Sequence, residues 1–161
     1  MSVRLLVVVP CGRAKIWTKQ PGWGATPAAE AYTGAPFVVN GRYAERFGDA
    51  WVVLSAKHGF VPPEADIPGP YEVTFKQPAT GPVSVGTLRE QIAARGLDRF
   101  DVVVGLGGKE YRAAIEAAFA GFPLRLVFPF TGLSIGRAMQ ATKRATDAGT
   151  PGFDQTDGSG D

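Results

Sequence analysis

A lysine, a histidine and a hydroxyl group lie together in the segment Ser55-Ala56-Lys57-His58-Gly59, which holds the chain's only histidine. The segment follows the apolar run 51–54 and ends in glycine, so we expect it at the end of a buried strand. Ligands of α/β proteins bind at the carboxyl ends of strands. A histidine there can transfer a proton, and a lysine can stabilise a developing anion.

Three other strand-like runs also end in polar, glycine-containing loops. These loops span residues 10–15, 105–111 and 129–134, after the runs 3–9, 102–104 and 124–128. Amides in such loops and at the helix starts behind them can bind anions. Four loops of this kind on one rim predict an enzyme site.

The candidate catalytic residues are those that could move a proton, stabilise an anion or place a water. They are His58, Lys57, Lys15, Asn40 and Glu30. The residues expected to bind substrate or DNA are Cys11, Gly12, Arg13, Ser55, Tyr71, Gly107, Gly108, Tyr111, Thr131, Gly132 and Arg137. Each has a simpler interpretation. The lysines can be solvated, the histidine can bond a turn carbonyl, and the cysteine can be a small apolar residue at a strand end.

Several common chemistries are poorly supported by the sequence. One cysteine and one histidine argue against a Cys/His zinc site and rule out an internal disulfide. There is no Walker motif and no G-x-S-x-G elbow, and the glycines at 105–108 fit a dinucleotide fingerprint poorly. No apolar run approaches membrane-spanning length. We therefore expect a cytoplasmic protein without metal, cofactor or membrane contact.

The order of elements predicts an α/β three-layer sandwich with a short, mainly parallel, four-stranded sheet. Strands are expected at 3–9, 51–55, 101–105 and 124–128, and helices within 27–47 and at 83–95, 109–120 and 132–145. Residues 10–26 and 56–82 are loops long enough to be functional. Residues 1–146 form one catalytic domain, and 147–161 are expected to form a disordered acidic tail.

The charge is unevenly distributed along the chain. The 161 residues carry a net charge of +2, and residues 147–161 contain four aspartates and no basic residue. Without this tail the body carries about +6, which is compatible with nucleic-acid binding.

Five motifs together resemble a small bacterial and phage domain family. They are C-G-x-x-K at 11–15, Y-x-G-x-P-F at 32–37, S-A-K-H-G-F-x-x-P at 55–63 with Pro70-Tyr71 after it, G-G-x-x-Y at 107–111 and P-F-x-G-L-x-I-G at 129–136. In layout this family resembles the uracil-DNA glycosylase superfamily. Some such domains are similar to anti-phage glycosylases that remove modified, sugar-decorated bases from viral DNA.

The resemblance implies a glycosylase-like fold and base-removal chemistry, but this chain departs from the superfamily at two sites. The superfamily has an aspartate or asparagine after the first strand and a histidine after the last strand. Here residues 10–15 contain no carboxylate and residues 129–132 no histidine. The superfamily's catalytic pair therefore cannot be carried over, and His58, Lys57, Lys15 and Asn40 or Glu30 would have to replace it.

The leading hypothesis is a monomeric DNA glycosylase in antiviral defence. It would hydrolyse the N-glycosidic bond of a modified base, such as a glycosylated hydroxymethylcytosine, in double-stranded phage DNA and leave an abasic site. The base would be flipped into the site and stacked on Tyr71 or Tyr111. Two alternatives remain open: a hydrolase or transferase acting on a free nucleotide or nucleoside, and a non-catalytic nucleic-acid-binding module of a stress response.

Overall fold

The computed structural model describes residues 3–154 as an α/β domain. Its strands are β1 (Leu5–Pro10), β2 (Thr26–Pro27), β3 (Ala50–Ser55), β4 (Gly59–Val61), β5 (Asp66–Ile67), β6 (Val102–Gly105) and β7 (Arg125–Val127). Its helices are α1 (Ile16–Lys19), α2 (Ala28–Ala31), α3 (Ala35–Phe47), α4 (Val85–Arg95), α5 (Lys109–Phe119) and α6 (Ile135–Ala148), with 3₁₀ turns at Pro78–Thr80 and Leu97–Arg99.

The main sheet has five strands in the order β4-β3-β1-β6-β7. The prediction of an α/β fold is confirmed, and the four predicted strands pair in parallel. The prediction of a four-stranded, mainly parallel sheet is corrected by a fifth strand, β4, which runs antiparallel to β3. This strand was missed because it is only three residues long and follows β3 after a tight turn, inside a segment read as loop.

The two faces of the sheet pack against different helices. Leu5, Val7 and Val9 point to one face. There they pack with Phe37 and Tyr43 of α3 and with Ala145 of α6. Leu6 and Val8 point to the other face, together with Leu88 and Ile92 of α4 and Ile115 of α5. Because both faces are covered, the central strands are apolar along their whole length, as the valine-rich runs predicted.

A small ladder joins the two long loops. β2 and β5 pair antiparallel, with Thr26 opposite Ile67 and Pro27 opposite Asp66. Ala28 N–H donates to the Ala65 carbonyl close by. Residues 10–26 and 56–82 are therefore connected to each other, and both lead to the edge where β1 and β3 end.

The chain after α6 continues to pack on the domain. The helix extends through Ala148, past the expected boundary at residue 146. Pro151 is buried, and its carbonyl accepts a 2.6 Å hydrogen bond from the Tyr43 hydroxyl. The predicted tail at 147–161 thus begins as ordered structure, and its last seven residues, 155–161, lie outside the described part. No helix within residues 3–154 has the length and apolar character needed to cross a bilayer.

Candidate active site at the carboxyl edge of the sheet

The β3–β4 turn presents Lys57 and His58 on a tightly bonded backbone. Ser55 Oγ accepts hydrogen bonds from the backbone N–H groups of His58 at 3.0 Å and Lys57 at 3.3 Å. Gln91 of α4 accepts from Phe60 N–H at 2.8 Å and donates to the His58 carbonyl at 3.0 Å. Because both sides of the turn are hydrogen-bonded, the backbone positions of Lys57 and His58 are fixed. The Lys57 side chain is exposed and the His58 side chain is half-buried.

Glycine is required where this turn returns to the sheet. Gly59 has a φ of +77°, a conformation that side chains rarely adopt. A Cβ at this position would lie 2.2 Å from Gln91 Oε1. The S-A-K-H-G motif therefore encodes a hairpin turn as well as two polar side chains.

Three buried hydroxyl groups form a chain beneath the turn. The Tyr71 hydroxyl lies 2.8 Å from Ser55 Oγ and 2.5 Å from the Tyr32 hydroxyl. Burial raises the pKa of Tyr32 to about 12, and burial also raises the pKa of Tyr71. Both tyrosines are therefore neutral hydrogen-bonding groups near pH 7.

Two lysines and the histidine surround the Tyr71 ring. Lys15 Nζ lies 4.5 Å from the ring centre, and Lys57 Nζ lies 6.0 Å from it. The His58 ring meets Tyr71 edge-on, with 5.4 Å between ring centres. We call Lys15, Tyr32, Ser55, Lys57, His58 and Tyr71 the Tyr71 cluster. It joins the loops after β1 and β3 to the later segment around residue 71.

Burial and nearby charge favour the neutral form of two groups in this cluster. The pKa of His58 is lowered, first by burial and then by the charge of Lys57. Burial also lowers the pKa of Lys15, while Cys11 and Glu72 act in the opposite direction. A neutral histidine beside a cation can accept a proton from water or donate one hydrogen bond to a substrate.

Cys11 and Tyr111 form a second group beside the cluster. The Tyr111 hydroxyl donates to the Cys11 carbonyl at 3.1 Å and lies 3.3 Å from Cys11 Sγ. Phe75 packs edge-on against Tyr111. Gly107 lets the β6–α5 loop approach β1, because a Cβ at that position would lie 2.9 Å from the Pro10 ring. The end of β6 is thereby held beside the start of the Cys11 loop.

Other predicted site residues take different positions. Gly12 is half-buried in the loop after β1, and Gly108 is exposed before α5. Arg13 is exposed, and its carbonyl accepts a hydrogen bond from Lys15 Nζ.

Five predicted site residues lie apart from the cluster. Glu30 is exposed on α2 and Asn40 is half-buried on α3. Thr131, Gly132 and Arg137 are exposed after β7. Within residues 3–154, no hydrogen bond, ion pair or ring contact joins Glu30, Asn40, Thr131, Gly132 or Arg137 to the Tyr71 cluster.

The sequence interpretation missed two residues that complete the site. Tyr32 lies in the Y-x-G-x-P-F motif, so its presence there was a usable signal. Gln91 had no such signal, because it occupies an ordinary helical position. The expected role of Tyr71 also changes. Its ring is buried beside Lys15 Nζ and its hydroxyl contacts Ser55 and Tyr32, so it holds the cluster together and presents little surface for stacking.

A shallow hollow of about 320 Å³ lies at the opposite ends of the strands, where β1 and β3 begin. Its lining includes Trp51, Pro63, Arg95 and Phe100, and none of the predicted site residues borders it. Its walls are mostly apolar and include the starts of β1 and β3 and the segment after β4. The polar groups that could perform chemistry therefore gather away from this hollow, at the carboxyl edge.

Two comparisons with known proteins found a match, one to a family model and one to a curated protein. A model described as a family of unknown function, DUF6884, matches residues 6–144. The relative named "Uncharacterized protein YfjM", from Bacillus subtilis (strain 168), is 36% identical over 146 residues, which cover 90% of this chain and 97% of the relative. No solved structure matches the chain. The family match includes the whole Tyr71 cluster, and this chain belongs to the DUF6884 family.

Proposed function

We propose that the protein is a DNA glycosylase that hydrolyses the N-glycosidic bond of a modified base at the Tyr71 cluster. One observation carries the proposal: lysines from the loops after two neighbouring parallel strands lie beside a single buried tyrosine ring, next to the only histidine. The motifs that resemble the glycosylase-like domains contribute Lys15, Tyr32, Lys57, His58 and Tyr71 to this arrangement.

The reaction needs two kinds of assistance. As the bond between sugar and base breaks, positive charge develops on the sugar and negative charge on the departing base. By analogy with glycoside hydrolysis, one group must stabilise the leaving group and another must activate water. Lys57 is suited to the first task because its exposed cation can approach the base or a neighbouring phosphate.

His58 is suited to the second task. The lowered pKa leaves its imidazole neutral near pH 7, so one ring nitrogen can accept a proton from water. Within residues 3–154 no carboxylate forms a hydrogen bond with the cluster. We therefore assign water activation to His58. Glu30 and Asn40 lie on α2 and α3, away from the β3–β4 turn.

The charge of the body supports a DNA substrate. Without residues 147–161 the chain carries about +6. Neutralising phosphates releases counterions, so binding of duplex DNA should weaken steeply as salt rises. A hydrolase that acts on a free nucleotide should show a much smaller salt dependence.

The test is to incubate the purified protein with matched duplexes that carry plain or modified bases, including glycosylated hydroxymethylcytosine. Abasic sites are then scored by strand cleavage in hot alkali. We expect cleavage of a modified duplex, loss of cleavage in His58→Ala, and normal cleavage in Lys19→Met, which removes an exposed cation on α1. The absence of abasic sites on every modified duplex would reject the proposal.

Free modified nucleosides and nucleotides form the second arm of the same experiment. The compactness of the cluster favours this alternative, because two lysines beside one ring could hold a single phosphate. Base release from free nucleotides, with none from DNA, would identify the alternative. Salt-sensitive DNA binding without release of any base would instead identify a non-catalytic binding module.

A further inference from the structure

Lys15 lies in a setting that favours amine chemistry. Its half-buried side chain ends in an Nζ that donates to the Arg13 carbonyl at 3.2 Å and lies near the rings of Tyr71 and Tyr32. Within residues 3–154 no carboxylate is close enough to form an ion pair with it. Burial lowers its pKa, which increases the fraction of neutral amine. Neutral lysine amines attack carbonyl carbons.

Lys57 provides an internal contrast. Its side chain is exposed, and its Nζ lies farther from the Tyr71 ring, at 6.0 Å compared with 4.5 Å for Lys15. An exposed lysine ammonium is a compact, hydrated point charge that can contact phosphate or base. The two lysines of the cluster are therefore suited to different tasks.

We infer that Lys15 is a nucleophile toward the C1′ aldehyde of an abasic deoxyribose, which gives the protein a DNA lyase activity. The inference rests on the proposed function, because hydrolysis of the base leaves a sugar that opens to this aldehyde. It adds a second reaction at the same site, in which the DNA backbone is broken after the base has left.

The lyase reaction balances without an oxidant or a reductant. The Nζ lone pair bonds to C1′, and the carbonyl oxygen takes up a proton to give a carbinolamine. The C1′–O bond then breaks, water leaves, and a protonated imine remains. A base removes a proton from C2′, the electron pair forms a C2′–C3′ double bond, and the C3′–O bond breaks as the phosphate departs with the downstream strand. Water hydrolyses the imine and regenerates the amine.

The buried hydroxyl chain holds Tyr71 beside Lys15 and His58, and water supplies the proton that this sequence needs at oxygen. Ser55 Oγ accepts two backbone N–H bonds, so its own O–H is left to donate to the Tyr71 hydroxyl. The Tyr71 hydroxyl also contacts the Tyr32 hydroxyl, so the hydroxyl groups of this chain bond to one another inside the protein. Neutral His58 beside Tyr71 can accept the C2′ proton.

The experiment uses a labelled duplex with one preformed abasic site, made by removing uracil with a separate enzyme. The full-length protein is incubated with it in the presence of cyanoborohydride, which reduces the imine to a stable amine. We expect a covalent protein–DNA adduct, and mass spectrometry of the wild-type adduct should place the linkage on Lys15. Lys15→Arg retains a positive charge but should reduce the yield of adduct at least about tenfold. Lys19→Arg on neighbouring α1 should leave the yield of adduct unchanged.

The outcomes separate the two proposals. An adduct on preformed abasic DNA without base release from modified DNA would reject the glycosylase alone. Base release without any adduct would reject the lyase alone. A wild-type adduct mapped to another lysine or to the terminal amine would also overturn the inference, and because this mapping uses the wild-type chain it does not depend on whether Lys15→Arg folds.

Discussion

The β3–β4 turn (residues 55–59) and the β7–α6 loop (residues 128–134) begin at the same edge of the sheet, yet they differ in what reaches them. The first is contacted by Tyr71 and Gln91, which come from later segments of the chain. In the second, Ser134 accepts from Arg137 N–H within its own helix start. The turn therefore becomes part of a site, while the loop caps a helix.

Strand order explains why the two loops stay apart. β7 is separated from β3 by β1 and β6. With about 4.8 Å between neighbouring strands, the two loops start roughly 14 Å from each other. A glycine-containing loop after a strand is thus insufficient to indicate a site. The loop also needs neighbouring strands and polar groups from distant segments, whereas the β7–α6 loop receives an aromatic contact between Tyr43 and Phe130.

The largest expected difference between the two regions is in catalysis. Lys57→Met should reduce abasic-site formation about 100-fold, because losing one electrostatic donor costs roughly 3 kcal/mol of barrier. Thr131→Ala in the β7–α6 loop should change the rate less than about twofold, because Thr131 makes no contact with the cluster within residues 3–154. Single-turnover assays on the modified duplex measure both. Equal losses would show that the two loops share one site.

A second difference concerns the loss of folding stability when alanine replaces either of two glycines that have nearly the same backbone conformation. Gly59 and Gly132 have φ values of +77° and +79°. Gly132→Ala should cost about 1 kcal/mol for the left-handed conformation alone, because a Cβ there meets no atom within 4 Å. Gly59→Ala should cost about 3 kcal/mol, because it also displaces Gln91 and its two hydrogen bonds. Urea unfolding measures both values.

A double mutant sharpens this result. Once Gln91→Ala has removed the obstructing side chain, Gly59→Ala should cost only about 1 kcal/mol more, as at Gly132. If the two costs at residues 59 and 91 simply add, the contact between them does not explain the requirement for glycine.

The sequence predicted those strands and helices whose apolar residues recur at regular spacing within one segment. The valine-rich runs predicted β1, β3 and β6, and helical spacing predicted α5 to within one residue of its observed end at Phe119. Parallel pairing of the predicted strands then brought Lys15 and Lys57 to one edge. These inferences needed only the periodicity of apolar residues and the rule that parallel strands end together.

Long-range contacts were beyond what the sequence could show. The β2–β5 ladder has two residues on each side, which is too short for any alternating pattern, yet it links the two loops that carry Lys15 and Tyr71. β7 is the outermost strand beside β6, which separates Thr131 from the cluster, and this position depends on which strand pairs with β6. Neither feature is encoded in the residues of one segment.

Two serines provide a comparison with a smaller expected effect. Ser134→Ala should cost about 1 kcal/mol, as for other helix caps. Ser55→Ala should cost about 2 kcal/mol, because it leaves the N–H groups of Lys57 and His58 without their acceptor and removes a partner of the Tyr71 hydroxyl. Chemical denaturation of both variants decides the order. A greater loss at Ser134 would contradict the view that the turn is the more tightly constrained region.

The smallest expected effect is a pH dependence that only the turn should show. The pKa of His58 in the folded protein is lowered from 6.5, so the unfolded chain binds a proton more readily than the folded one. As pH falls below about 6.5, protonation therefore favours unfolding until the lower folded pKa is passed. His58→Gln should remove this contribution, so that its stability relative to wild type improves between pH 7 and pH 5.5. The difference in unfolding free energy, measured in urea at both pH values, tests this. A variant that instead loses stability relative to wild type on acidification would mean that the folded state stabilises the imidazolium, and His58 could not then be the neutral group that activates water.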